Sequence, residues 1–238
     1  MHHTQTVNIL AIGAHPDDVE LGCGGLLIKA ARRGQNVYTC TLTKGSASGD
    51  PAQRTEELMQ SAKFLGSKGV RIGDFQDAKL EVNDELINFI ETCIDEVDPD
   101  IILTHFHGDV HHDHRAVALA TQEAARFDSN VLAYEIPLTR NFDPKVYYDV
   151  SDVIDDKIEL IRTYWSQQNK LYVKATAIKG LAAFRALQSR LNTSINYVEA
   201  FDVVKACLDS EFKLFKVPYK KPKAVTTLMG APEILVAP

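Results

Sequence analysis

Residues 7–18 read VNILAIGAHPDD, and this stretch decides how the rest of the chain is placed. Residues 7–13 form an apolar run of strand length ending at a glycine, which is the pattern of a strand covered on both faces. His15, Pro16, Asp17 and Asp18 follow at once. A helical pattern over residues 19–33 comes next, with two arginines in its last turn and Gly34 beyond it. Strand, tight turn and helix in that order open a parallel α/β sheet.

The same alternation continues outward. Residues 36–43 (NVYTCTLT) read as a strand, and the small-residue loop 44–51 leads to a helix over 54–65 that stops at Gly66. Residues 70–75 form a strand, 85–97 an amphipathic helix closed before Pro99, and 101–104 a strand. A helix over 116–127 and a strand over 131–136 complete the series. The expected fold is therefore α/β: a Rossmann-like, mostly parallel sheet with helices on both faces. After residue 137 the pattern changes. Residues 142–150 are aromatic and β-rich, 155–165 and 170–191 are helical, 197–204 suggest a strand, and the proline-bearing tail 218–238 reads as an irregular arm. The chain is read as one domain over 1–238. Residues 7–136 form the Rossmann-like core, and a smaller C-terminal β/α portion, 137–238, completes the substrate cleft.

Ligand sites in such sheets lie beyond the carboxyl ends of the strands. His15 and His105 each follow a strand, so the fold brings them to one rim. Six of the eight histidines lie either at His15 or in the segment HFHGDVHHDH, residues 105–114. The other two, His2 and His3, belong to the N-terminal extremity. Imidazoles gathered with carboxylates suit zinc and similar divalent ions. Pro16 stiffens the first turn, so successive side chains point different ways. One of Asp17 and Asp18 can then hold a metal while the other faces substrate. Helix capping is the plain alternative for this pair, but it leaves His15 unexplained. In the second segment, His111 and His114 can converge on one centre, and Asp113 can orient an imidazole. His112 is expected to face outward, His105 to line the strand end, and His107 to sit in the loop.

Other features exclude other functions. The 238 residues carry a net charge of −6, which argues against nucleic-acid or acidic-membrane binding. No apolar run approaches the ~20 residues of a membrane span. Four widely spaced cysteines without a C-x-x-C pair, and no signal-type start, read as free thiols in a cytoplasmic protein, with Cys23 packing the apolar face of its helix. The first turn lacks G-x-G-x-x-G, and its carboxylates would repel phosphate, which argues against a non-enzymatic Rossmann-type binding module. No G-x-S-x-G supports a serine nucleophile. Lys44, Arg115, Arg140 and Arg185 are candidate phosphate or nucleotide contacts, with surface solvation the plain alternative.

The segment AHPDDVELGCGG, residues 14–25, resembles the hallmark of the LmbE-like, or PIG-L, metal-dependent de-N-acetylases. Residues 111–114 match that family's His-x-Asp-His, with His112 where proline is common. Arg54 with Glu57 resembles its Arg-x-x-Glu, and residues 75–80 (FQDAKL) its acidic substrate loop. Ser166-Gln167 and Glu199-Ala200-Phe201 fit later patterns, so the resemblance spans roughly residues 7–205. It implies zinc, or ferrous iron, on His15, Asp18 and His114. It implies Asp17 as general base, His111 as oxyanion stabiliser or general acid steadied by Asp113, and Arg54 and Asp77 as binders of sugar hydroxyls. The implied reaction releases acetate and a free amine from a small N-acetylated amino sugar or its conjugate, and cleavage of a sugar–thiol conjugate is the alternative. A trimeric or hexameric homo-oligomer is implied as well.

Overall fold

The computed structural model describes residues 6–128, 130–190 and 194–207. The elements are β1 (Asn8–Gly13), α1 (Asp18–Arg32), β2 (Asn36–Thr43), α2 (Pro51–Leu65), β3 (Gly69–Phe75), α3 (Asp84–Val97), β4 (Ile101–His105), α4 (His112–Ala124), β5 (Val131–Tyr134), β6 (Val146–Asp149), α5 (Ile154–Arg162), α6 (Ala175–Ser189) and β7 (Val198–Lys205). They build one seven-stranded sheet in the order β3-β2-β1-β4-β5-β7-β6. The first five are parallel, and β7 pairs antiparallel with both β5 and β6. The order reverses at β1, between β2 and β4. This is the switch point at which a crevice opens beyond the strand ends.

Alternation along β1 builds the two faces. Ile9 and Ala11 enter a core shared with α1, α5 and α6 through Leu27, Ile158, Ile161 and Ile178. Leu10 and Ile12 enter the opposite core with α3 and α4 through Ile90, Ile94, Val117 and Ala120. Among the described residues, no helix is long and apolar enough to cross a membrane.

Four helix boundaries differ from the sequence reading. α2 begins at Pro51 because the Asp50 carboxylate accepts the Gln53 N–H, a cap that precedes the apolar pattern. α4 begins at His112, inside the histidine segment, where polar Asp113 and His114 are buried and carry no apolar period. The long helix expected over 170–191 is broken. Residues Leu171–Val173 form a 3-10 turn, and Lys174 is extended (φ −68°, ψ 141°) before α6 starts. Likewise Trp165–Gln167 is a separate 3-10 turn beyond α5. Residues 191 and 218–238, and His2 and His3, lie outside the described residues.

The four cysteines are free thiols, and Cys23 packs inside the first core as expected. It also marks a break in α1, with φ −137° inside the helix. The broken ladder leaves backbone groups that side chains then satisfy. The Glu199 carboxylate accepts the Gly25 and Leu26 N–H groups, both at 2.7 Å. Lys157 donates to the Leu21 carbonyl at 2.8 Å and to Glu199 at 2.7 Å. Lys157→Met strands a buried carboxylate and an orphan carbonyl. We expect it to lower unfolding stability by about 3 kcal/mol, the scale for breaking a buried pair. Urea unfolding reads this directly, and a loss below about 1 kcal/mol would show that the pair is solvated.

Candidate active site

The turn after β1 is held in a strained form. Asp17 sits at φ 105°, a region that costs an L residue energy and is kept only where its surroundings enforce it. Its backbone carbonyl accepts the Leu21 N–H at 3.0 Å, and its side chain makes no cap bond. The pair of carboxylates diverges. Asp18 accepts the His15 N–H at 2.7 Å and faces inward to His105 and His114. Asp17 turns to Arg54, whose Nη1 lies 3.5 Å from Oδ2.

Asp18 is the hub of the inner cluster. Oδ2 stands 3.2 Å from His15 Nδ1, and Oδ1 stands 3.3 Å from His114 Nε2. Donor atoms of His15, Asp18 and His114 all lie within 4.8 Å of one another. The far nitrogen of each imidazole meets another carboxylate. His15 Nε2 is 3.0 Å from Asp113 and 3.1 Å from Asp77. His114 Nδ1 is 3.2 Å from Asp109, which also accepts from the Thr139 hydroxyl at 2.6 Å. Metal-bound histidines carry this outer carboxylate, which fixes the ring and its tautomer. The donor set and its support thus fit a divalent ion of zinc type. A second grouping, His15, His111 and Asp113, is weaker, because Asp113 already accepts the Ala78 and Leu80 N–H groups.

Electrostatics follow the same geometry. Burial opposes charge on His15, but Asp18, Asp113 and Asp77 outweigh it and raise its pKa well above the usual histidine value. The same balance, with Asp18 and Asp109 as partners, lifts His114 to about 9. Asp18 resists burial through His114, His105 and His15, and falls well below the carboxylate range. Burial pushes Asp17 up to about 7 against the opposing charge of Arg54. Burial and the His114 charge lower His105 to about 4, and its ring stacks on His114 at 4.0 Å. Burial also lowers His111.

Several expectations change here. Asp113 meets the His111 ring through its backbone, whose N–H donates to His111 Nδ1 at 3.2 Å, while its carboxylate holds His15. That bond leaves the His111 proton on Nε2. Arg54 and Asp77 line the cavity, and the protein bonds the Arg54 Nη1 and Nη2 groups and the Asp77 carboxylate, while buried Arg54 Nε has no partner among the described residues. Arg54 is only 1% exposed and bonds the Pro16 carbonyl and Asp17. Asp77 accepts the Ala47 N–H at 2.7 Å and faces His15. Both thus meet Asp17 and His15 from the cavity wall, beside the place where a sugar hydroxyl is expected. His112 is exposed and His107 lies in the exposed loop, as read. Of the candidate phosphate contacts, Lys44 pairs with Asp74 and Arg185 with Glu135, while Arg115 bonds the carbonyls of Asp109 and Val110.

Two features escaped the sequence reading. Asp109 lies inside the histidine segment 105–114, but its pairing with His114 depends on the loop's fold and has no signature in the spacing. Lys170 and Tyr172 line the cavity, and both were hidden inside an expected helix. The cavity is about 200 Å³, with Asp17, Asp18 and His111 on its wall. Glu57 fastens the segment leading to Lys170 by accepting from the Ser166 N–H and hydroxyl, the latter at 2.8 Å.

A doubly wound sheet with a His/Asp centre and a neighbouring buried carboxylate at its switch point defines a hydrolase-type site. The sequence profile of the PIG-L family, GlcNAc-PI de-N-acetylase, matches residues 10–125. An uncharacterized deacetylase of Escherichia coli K12, YaiS, is 37% identical over 153 residues, covering 60% of this chain and 82% of that protein. The diacetylchitobiose deacetylase of Thermococcus kodakarensis is 29% identical over 187 residues, covering 67% of this chain and 69% of that protein. Among solved structures, the conserved protein TT1542 of Thermus thermophilus superposes with a TM-score of 0.76 at 22% identity, covering 91% of this chain and all of that one. The chain belongs to the PIG-L, or LmbE-like, deacetylase family and is an enzyme of amide hydrolysis.

Proposed function

We propose that the chain is a metal-dependent N-deacetylase that hydrolyses the acetamide of an N-acetylated amino sugar or its conjugate. The observation that carries this is the Asp18 hub, with two imidazoles each backed by a second carboxylate, beside the buried Asp17. Relatives that act on acetylated sugars support the substrate class. His15, Asp18 and His114 would hold zinc or ferrous iron, whose ligand preferences overlap here. When bound, the ion supplies a Lewis acid that polarises the amide carbonyl and acidifies water.

The chain's own groups supply the proton traffic. Asp17, through the oxygen turned away from Arg54, takes the proton of the attacking water as general base. Its raised pKa of about 7 makes it a competent base near neutrality. His111 is neutral and donates from Nε2 to the oxygen on which charge develops. The proton held by Asp17 then passes to the leaving nitrogen, giving a free amine and acetate. The C-terminal portion completes the cleft, a reading supported by Lys170 and Tyr172 on the cavity wall.

Acetate release tests the proposal. Chelated enzyme should be inactive, and zinc-reconstituted enzyme should release acetate from N-acetylglucosamine, its glycosides or chitooligosaccharides. No release by metal-loaded enzyme from any of them would refute the substrate class.

Arg54 gives a second test, of the base itself. Its charge holds the Asp17 pKa down, so Arg54→Gln should raise it. The ionised base is then lost at higher pH, and the acid limb of kcat/KM should move up by about one unit, the lower end of an arginine's effect on a neighbouring aspartate. An unmoved limb with metal content intact would remove Asp17 as the titrating group.

A further inference from the structure

The cavity holds one cation that the proposed chemistry leaves unused. Lys170 is half-buried on its wall and forms no ion pair or hydrogen bond through its ammonium among the described residues. The Tyr172 ring stands 5.7 Å from Nζ. Tyr172 lines the same cavity, and its hydroxyl likewise has no hydrogen-bond partner among the described residues. A half-buried ammonium on an open cavity wall, with no protein acceptor, is free to bind a ligand anion in place of water. Neighbouring cations cannot substitute. Arg54 is taken by Asp17 and Pro16, Lys44 by Asp74, and Arg185 by Glu135. Ile136 and Leu138 add an apolar wall beside these two polar tips. Lys170 and Tyr172 line the cavity that Asp17 and the ligand set also line, so a group bound beside them belongs to the same small substrate.

We propose that Lys170, assisted by the Tyr172 hydroxyl, recognises an anionic substituent on the amino sugar or its aglycone, a carboxylate or a phosphate. The inference rests on the deacetylase reading and narrows it to acidic N-acetylhexosamine conjugates. An ammonium meets either anion as a point charge, so geometry favours neither source. Tyr172 contributes a donor to the anion and a flat ring beside the sugar.

The experiment compares zinc-loaded enzyme on three substrates that share one N-acetylglucosamine core: a neutral methyl glycoside, a carboxylate-bearing glycoside and a 6-phosphate. Wild type should favour one anionic substrate over the neutral one by about tenfold in kcat/KM, expressed in KM. Lys170→Met should collapse that ratio toward one, and Lys170→Arg should keep most of it. The carboxylate and phosphate arms identify the source. Calorimetric binding of the same three sugars gives a readout that does not need acetate release. A Lys170-dependent preference for an anionic sugar there supports the subsite even where turnover is absent, in which case only the deacetylase reading fails. Equal binding of neutral and anionic sugars by wild type overturns the proposal. So does an equal fall in kcat on every substrate in Lys170→Met, which would place the ammonium in the reaction instead.

Discussion

Asp17→Asn should keep its metal and its fold while losing about 10²–10⁴-fold in turnover, the usual scale of general acid–base catalysis. Asparagine suits this test because it tolerates the positive φ that Asp17 adopts. It also keeps the size of the side chain and one oxygen for Arg54, and removes only the basic carboxylate. Asp18→Asn, one residue on, should behave differently. Asp18 is the point at which His15 and His114 converge, so its loss should reduce metal content together with rate. Metal analysis beside acetate release separates the two variants. Near-normal turnover by metal-loaded Asp17→Asn would exclude it as the base, and full metal content in Asp18→Asn would exclude it as a ligand.

That adjacent aspartates can differ so much was legible from Pro16 and the strand-to-helix turn, although the directions of the two side chains were not. Periodicity along residues 7–43 located β1, α1 and β2 because each buries a regular face, and the parallel order of the sheet followed from the strand–helix alternation. Pattern failed where polar groups are buried. α4 starts among histidines because Asp113 and His114 face inward to other side chains, which hydrophobic spacing cannot register. It failed again at Lys174, where one extended residue splits an otherwise helical stretch and releases Lys170 and Tyr172 to the cavity. The roles of Arg54 and Asp113 needed tertiary contacts. Arg54, in the first turn of α2, meets Asp17 in the turn after β1, and Asp113, in the first turn of α4, meets His15 in that same turn. Neither partner is encoded in local spacing.

The position of Asp113 leads to the second large effect. Its carboxylate is fully buried and accepts from Ala78 N at 2.8 Å, Leu80 N at 2.9 Å and His15 Nε2 at 3.0 Å. The residue thus ties the 78–80 segment to a ligand ring, and fixes which nitrogen of His15 faces Asp18. Asp113→Ala removes all three bonds and leaves Asp77 as the remaining carboxylate on His15 Nε2, with Asp18 still on Nδ1. Outer carboxylates of this kind are worth about 10–100-fold in metal affinity or activity. We therefore expect a metal dissociation constant raised by that factor, with turnover recovering at saturating zinc if the loop stays folded. Asp109→Asn tests the matching role on His114 and should weaken metal binding in the same direction. A competition titration against a chelator reads both variants. Should Asp113→Ala bind zinc as tightly as wild type and instead change the pH profile of turnover, its target would be His111, and the His15 bond would be incidental to metal binding.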